Sequence, residues 1–268
     1  LLTKLRKVVD WLMIETTKKI TIKKYRDGFF ETDDDVVVEY SLAIYLNNNY
    51  FVSLLCSPEH LEELVFGYLY SEGIIASKDD VLSISIDSEK GKAVLKLSRE
   101  DIFKFSGDQL IGETTVTTAC GKGRKVVFPV VREGSDEKIR AIEVQPEDVF
   151  RMVRDFNKSS ELFLKTGGVH SCALCTKDEI LYSRDDIGRH NALEKILGKA
   201  LIDGIDLKDK VVLSTGRMSS EIVDKVILRG IPVLISRSAP TDEAINRAKK
   251  VGLKLIGFVR GEKMNVYT

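Results

Sequence analysis

Apolar and polar residues alternate with a period of two along residues 36–55, VVVEYSLAIYLNNNYFVSLL, the pattern of two strands that turn at Asn47-Asn48-Asn49. The period then changes. Over residues 57–75, SPEHLEELVFGYLYSEGII, Leu61, Leu64, Val65 and Tyr68 form a helical stripe that Gly73 ends. Ser57 is the expected N-cap, with Pro58 at the first helical position and Glu59 in the first turn. Two short strands follow at 81–86 and 92–98, around a turn at 87–92. Upstream, Leu1, Leu5, Val8 and Leu12 fall on one helical face, so a surface helix is expected within residues 1–19. Between 106 and 125, SGDQLIGETTVTTACGKGRK, no period survives, and a loop of this length is functional or disordered.

From Gln145-Pro146 onward helix and strand patterns alternate regularly. A helix fits 146–157, with Pro146 near its start and Glu147 and Asp148 suiting its dipole. A hairpin fits 168–176 and 180–184, then a helix from about 187 to 201 carries Leu193, Ile196, Leu197 and Ala200 inward. Strands at 210–214, 232–236 and 253–259 are separated by helices at 219–228 and 240–251, and the strand at 253–259 is expected to be the last. A hairpin followed by crossover helices implies a mixed sheet between helical layers. The expected fold is therefore α/β, α+β overall. Residues 145–268 form a cytidine-deaminase-like three-layer α/β/α domain, by fold-level analogy. Residues 20–144 form a smaller strand-rich N-terminal domain that includes the Cys120 loop.

Charge narrows the function classes. Lysine plus arginine and aspartate plus glutamate each number 41, so the basic excess that drives non-specific nucleic-acid binding is missing. No apolar run approaches the roughly 20 residues needed to span a bilayer. Lys4, Arg6, Lys7 and Asp10 break the opening segment, so no secretory apolar core is expected there. Four cysteines at unpatterned spacings point to free thiols in a reducing compartment, and hence to a cytoplasmic protein.

Cys120 stands in Thr117-Thr118-Ala119-Cys120-Gly121-Lys122-Gly123-Arg124-Lys125. Glycines free the backbone, and three nearby cations favour thiolate, the nucleophilic form. A sulfur carrier needs a nucleophilic thiolate, a tether and a cation; an incidental loop cysteine beside a solvated charge run is the competing reading. Cys172 and Cys175 form a Cys-x-x-Cys that invites a zinc or dithiol reading. On a strand, positions three apart point to opposite faces, which favours two small core side chains instead, and Cys56 is read the same way. A deaminase zinc centre would need His-x-Glu and Pro-Cys-x-x-Cys, and neither is present around His170.

The other signals lie where strands hand over to helices: STGRMSSE with Arg217, SRSAPTDE with Arg237, and SRDDIGRHNA with Arg189 and His190. Helix starts present free N–H groups and partial positive charge, and ligands of open α/β sheets gather outside strand carboxyl ends. Ser, Thr and Asp there are ordinarily caps, and His190 ordinarily a packing or surface residue. Three such junctions, all bearing arginine, favour a phosphate-bearing ligand, with Arg189, His190, Arg217 and Arg237 facing it. No directly bound metal is expected.

The stretches SPEHLEELVFGYLYSEGII, TTACGKGR, KTGGVHSCAL, SRDDIGRHNALEKILG and LIGFVRGEKMNVYT resemble the formate dehydrogenase accessory sulfurtransferase family, FdhD, from about residue 20 to 268. The resemblance implies a cytoplasmic homodimer. It would take persulfide sulfur from a cysteine desulfurase and deliver it to the molybdenum bis(molybdopterin guanine dinucleotide) cofactor of formate dehydrogenase. Cys120 matches the family's persulfide-carrying position. Ile256, Gly257, Phe258, Val259, Arg260 and Gly261 match the region that meets the guanine nucleotide cofactor, where Arg260 and Lys263 supply cations for a diphosphate. The family's usual second loop cysteine is here Gly123. That departure keeps a second reading open: a chaperone that binds the molybdenum cofactor without transferring sulfur.

Overall fold

The computed structural model describes residues 8–9 (backbone only), 14–99 and 138–268. Among these lie six α-helices and three sheets, a mixed α/β architecture. The first half contains β1 (Val8–Val9), β2 (Thr17–Tyr25), β3 (Phe29–Val37), β4 (Tyr40–Leu46), β5 (Asn49–Cys56), α1 (Leu61–Ser71), β6 (Val81–Asp87) and β7 (Lys92–Leu97). A five-stranded sheet runs β1-β6-β7-β4-β5, and β2 pairs with β3 as a separate ribbon. Alternation on β4, β6 and β7 turns Leu42, Ile44, Leu46, Ile84, Ile86, Ala93 and Leu95 toward α1, giving one core.

The second half contains α2 (Pro146–Ser159), α3 (Glu161–Thr166), β8 (His170–Cys175), β9 (Ile180–Asp186), α4 (Arg189–Asp203), β10 (Val211–Ser214), α5 (Ser220–Leu228), β11 (Val233–Ser236), α6 (Asp242–Val251), β12 (Lys254–Arg260) and β13 (Lys263–Val266). Its sheet runs β13-β12-β11-β10-β8-β9. Strands β10, β11 and β12 are parallel, whereas β8 runs antiparallel to both β10 and β9. Parity divides the side chains. Cys172, Leu174, Val212, Leu234 and Leu255 pack beneath α4, α5 and α6. Ala173, Cys175, Val211, Leu213, Val233 and Ile235 pack beneath α2. Among the described residues no helix is long and apolar enough to cross a membrane.

The halves meet where α1 crosses α4. A methyl group on Gly67 would lie 1.7 Å from Glu194 O, and one on Gly198 would lie 1.9 Å from Glu63 O. Only glycine permits this backbone approach. Three charged links flank the crossing. Arg184 forks onto Glu63 at 2.6 and 2.9 Å. Lys225 Nζ lies 2.5 Å from both Glu194 Oε1 and Glu72 Oε1 and donates to Ser71 Oγ at 2.9 Å. Lys195 Nζ, fully buried, lies 2.7 Å from the equally buried Asp186 Oδ2 and donates to Ser57 Oγ at 2.8 Å.

Four sequence expectations need correction. Val8–Val9 pair with β6 and Thr17–Lys19 open β2, so a helix does not fill residues 1–19; β-branched residues at a sheet edge outweigh the weak helical stripe. The rest of 1–13 lies outside the described residues. Secondly, α1 starts at Leu61 behind a left-handed His60, φ 55°, and not behind Ser57, whose amide and hydroxyl are taken by Asp186 and Lys195. Thirdly, 253–259 is not the last strand, because β13 folds back on β12. Fourthly, the β2–β3 ribbon has no counterpart in the sequence reading: its lysines and acidic residues leave no apolar alternation to read.

Lys195→Met strands the Asp186 carboxylate in the core and is expected to cost roughly 3–5 kcal/mol. Gly198→Ala forces α1 off α4 and is expected to cost about 3 kcal/mol. Urea unfolding checks both, and a midpoint unchanged from the parent would contradict this account of the crossing.

Candidate functional site

At one edge of the six-stranded sheet the carboxyl ends of β9, β10, β11 and β12 lie beside the amino ends of β8 and β13. The loops there are laced together. Ser236 Oγ lies 2.7 Å from Gly216 O and 3.0 Å from Ser214 O, and accepts from Ser238 N at 3.0 Å. Ser238 Oγ donates to Thr215 O at 2.9 Å. Met218 N donates to Ala239 O, and Thr241 N to Met218 O. The 214–219 and 236–241 loops therefore behave as one rigid ledge.

Sequence-distant cations converge on this ledge. Arg189 opens α4 and lies across Gly216, where an added methyl would meet Arg189 Cβ at 3.0 Å and Cδ at 3.2 Å. His190 Nε2 sits 3.3 Å from Glu221 Oε2 on α5. Arg217 is exposed, and Arg237 Nη1 donates to Asn157 Oδ1 at 3.1 Å. Exposed Arg260 and Lys263 face each other across β12 and β13. The hairpin tip Gly261, φ 56°, joins them.

The stretch 256–261 is not uniform. Ile256 and Val259 point into the core, so their side chains are closed to a ligand. Gly257 is pressed between Ser238 O and the Tyr267 and Met218 side chains, at 2.9, 3.1 and 3.2 Å from where a Cβ would be. Phe258 departs most: its φ of 54° is left-handed, and the residue is 42% exposed. A bulky residue in that region costs about 1–2 kcal/mol. Strain of this kind collects where a side chain is aimed for function.

The expected Arg189, His190, Arg217, Arg237, Phe258, Arg260, Gly261 and Lys263 thus share one sheet edge. Sequence reasoning missed His170 there, because only the antiparallel pairing of β8 with β10 carries it to this end. Its Nδ1 lies 3.5 Å from Thr215 Oγ1. Burial first, then the charges of Arg189 and His190, hold the imidazole below its usual pKa.

Cys120 and its 106–125 loop lie outside the described residues. The other three thiols are closed. Cys56, Cys172 and Cys175 are each no more than 1% exposed. Burial in apolar surroundings pushes each of them up to about 12. Cys172 lies under α4 and Cys175 under α2, on opposite faces of β8, so the pair cannot clasp one metal ion. Among the described residues no group of three or more His, Cys, Asp or Glu could hold one.

Iodoacetamide applied to the native protein is expected to spare Cys56, Cys172 and Cys175, and to modify all three in concentrated guanidinium. Peptide mapping reads both, and native modification of any of the three would contradict their enclosure.

Known proteins share this architecture. A sulfur carrier protein FdhD of Listeria monocytogenes is 41% identical over 251 residues, covering 92% of this chain and 95% of its own. The Bacillus pumilus protein of that name is 39% identical over 252 residues, covering 94% and 95%. A crystal structure from Desulfotalea psychrophila, described as a formate dehydrogenase accessory protein, superposes with a TM-score of 0.75. It covers 95% of this chain and 97% of that one; at 24% identity it speaks for the fold alone. The model of the FdhD/NarQ family matches residues 37–268, and with relatives this similar along nearly the whole chain, the protein belongs to that family.

Proposed function

We propose that the chain is a sulfurtransferase serving formate dehydrogenase. Cys120 accepts persulfide sulfur from a cysteine desulfurase and passes it to the molybdenum bis(molybdopterin guanine dinucleotide) cofactor held at the sheet edge. The observation that carries this reading is the convergence of Arg189, Arg217, Arg237, Arg260 and Lys263 from separate junctions onto one ledge, in a relative of proteins named sulfur carriers. In the first step the Cys120 thiolate attacks the outer sulfur of the donor persulfide, and the desulfurase thiolate leaves. In the second the S–S bond breaks with its electron pair left on Cys120 as thiolate, and the acceptor cofactor, as substrate, takes the outer sulfur and supplies the two electrons that would make it sulfide.

Enclosure of the other thiols supports a single-cysteine route. The family's second loop cysteine is Gly123 here, and Cys56, Cys172 and Cys175 are protonated and shut away. In this reading residues 145–268 are the cofactor-binding domain, a cytidine-deaminase-like α/β/α layer without the deaminase zinc motif. Arginine forks suit a pyrophosphate, and the exposed Phe258 ring offers a face to a purine. The protein acts in the cytoplasm as a homodimer, as the resemblance implies. The same Gly123 favours the second reading, a chaperone that holds the dinucleotide cofactor without moving sulfur.

Radiolabelled sulfur from a desulfurase is expected to load the parent protein and to be lost in Cys120→Ser; equal labelling of both would remove the carrier assignment. Arg260→Ala is expected to weaken guanosine diphosphate about tenfold, the worth of one charge-assisted hydrogen bond. Fluorescence or calorimetric titration measures it.

A further inference from the structure

Among the described residues His170 makes no ion pair with a carboxylate, and its nearest charged neighbours are Arg189 and His190. It opens β8 at the ledge, half-buried. From α4 it faces Arg189 and His190, both of which disfavour its protonated form. From β9 its cross-strand neighbour is Asp186. That carboxylate is already taken by Lys195, Ser57, Gly188 and Asn191. Asp185 points to the other face of the sheet, where it accepts from Ser160 Oγ at 2.7 Å. Glu221 on α5 stands by His190. From the loop after β10 comes Thr215, whose hydroxyl accepts from Ser171 N at 3.0 Å and lies 3.4 Å from Ser171 O. That hydroxyl can donate to a neutral Nδ1 or accept from a protonated one, so it tolerates both states. Nε2 makes no hydrogen bond to the described residues.

We propose that His170 binds the phosphate groups of a nucleotide pyrophosphate at this edge and takes up a proton as the ligand docks. The inference rests on the nucleotide-binding reading above and adds the residue and the proton. In the free protein burial first, then the Arg189 and His190 side chains, disfavour the protonated form of His170. A docked pyrophosphate brings negative charge against His170, which favours imidazolium. The sign follows from linkage. A group that binds its proton more tightly in the complex makes the ligand bind better at low pH. Affinity is lost as pH rises through the pKa of the complex. Each unit of upward shift corresponds to about tenfold in affinity.

The test uses GDP-mannose, a pyrophosphate diester with no titrating oxygen near neutrality, so that proton uptake belongs to the protein. Calorimetry on the intact chain, in buffers of different ionisation enthalpy, counts the protons. The expected result is uptake near neutral pH and an affinity about tenfold weaker at pH 8 than at pH 6. His170→Gln, shown folded by its melting curve, abolishes uptake and flattens the profile. His60→Asn, at the start of α1 and not on the ledge, keeps both. Binding without uptake, or uptake that survives His170→Gln, overturns the role of His170 while leaving nucleotide binding in place. No binding of GDP-mannose at any pH withdraws the nucleotide reading and this inference with it.

Discussion

An ammonium and a carboxylate sealed from water, Lys195 and Asp186, fix the geometry on which the sheet edge depends. Burying either charge alone would cost several kcal/mol, so each holds the other in place. The pair is not isolated. Asp186 also accepts from Ser57 N, Gly188 N and Asn191 Nδ2, and Asn191 Nδ2 donates to Leu55 O at 2.8 Å. One carboxylate thereby ties the end of β5, the end of β9 and the first turn of α4. Arg189 and His190 ride on that turn. Their positions at the ledge are set by a contact made in the core, not by anything at the surface.

The glycine crossing works to the same end. Backbone contact at Gly67 and Gly198 brings α1 within reach of α4 and α5, and the Arg184–Glu63 and Lys225–Glu72–Glu194 links close around it. Packing that tight leaves little freedom for one half to slide against the other. The loops of the ledge are stiffened in turn by hydroxyls that bridge backbone groups, Ser236 and Ser238 foremost. Anion sites gain from such rigidity, because donors held in place lose little entropy when the ligand arrives.

Much of this was legible in the chain. The helices beginning at Pro146 and near Arg189, and the strand–helix order after them, follow from periods of 3.6 and 2 and from ordinary capping. The junction arginines were found because helix starts at strand ends have a known electrostatic use. The illegible parts share a cause, namely dependence on partners distant in sequence. Ser57 looks like a helix cap locally, yet its hydroxyl serves a lysine 138 residues away. His170 looks like any residue before a strand until β8 is paired with β10. Charged strands such as β2 and β3 pair through backbone and cross-strand contacts that composition does not reveal.

Strand parity at β8 has a chemical consequence. A chain that handles sulfane sulfur risks losing it to any thiol within reach, since thiolates exchange readily with persulfides and disulfides. Placing Cys172 and Cys175 three positions apart on a sandwiched strand separates them by the thickness of the sheet and denies both of them ionisation. Cys56 is sequestered by the other core. The described fold is in this sense a sulfur insulator: it leaves no internal wire along which an atom could leak, and no pair of thiols that oxidation could lock.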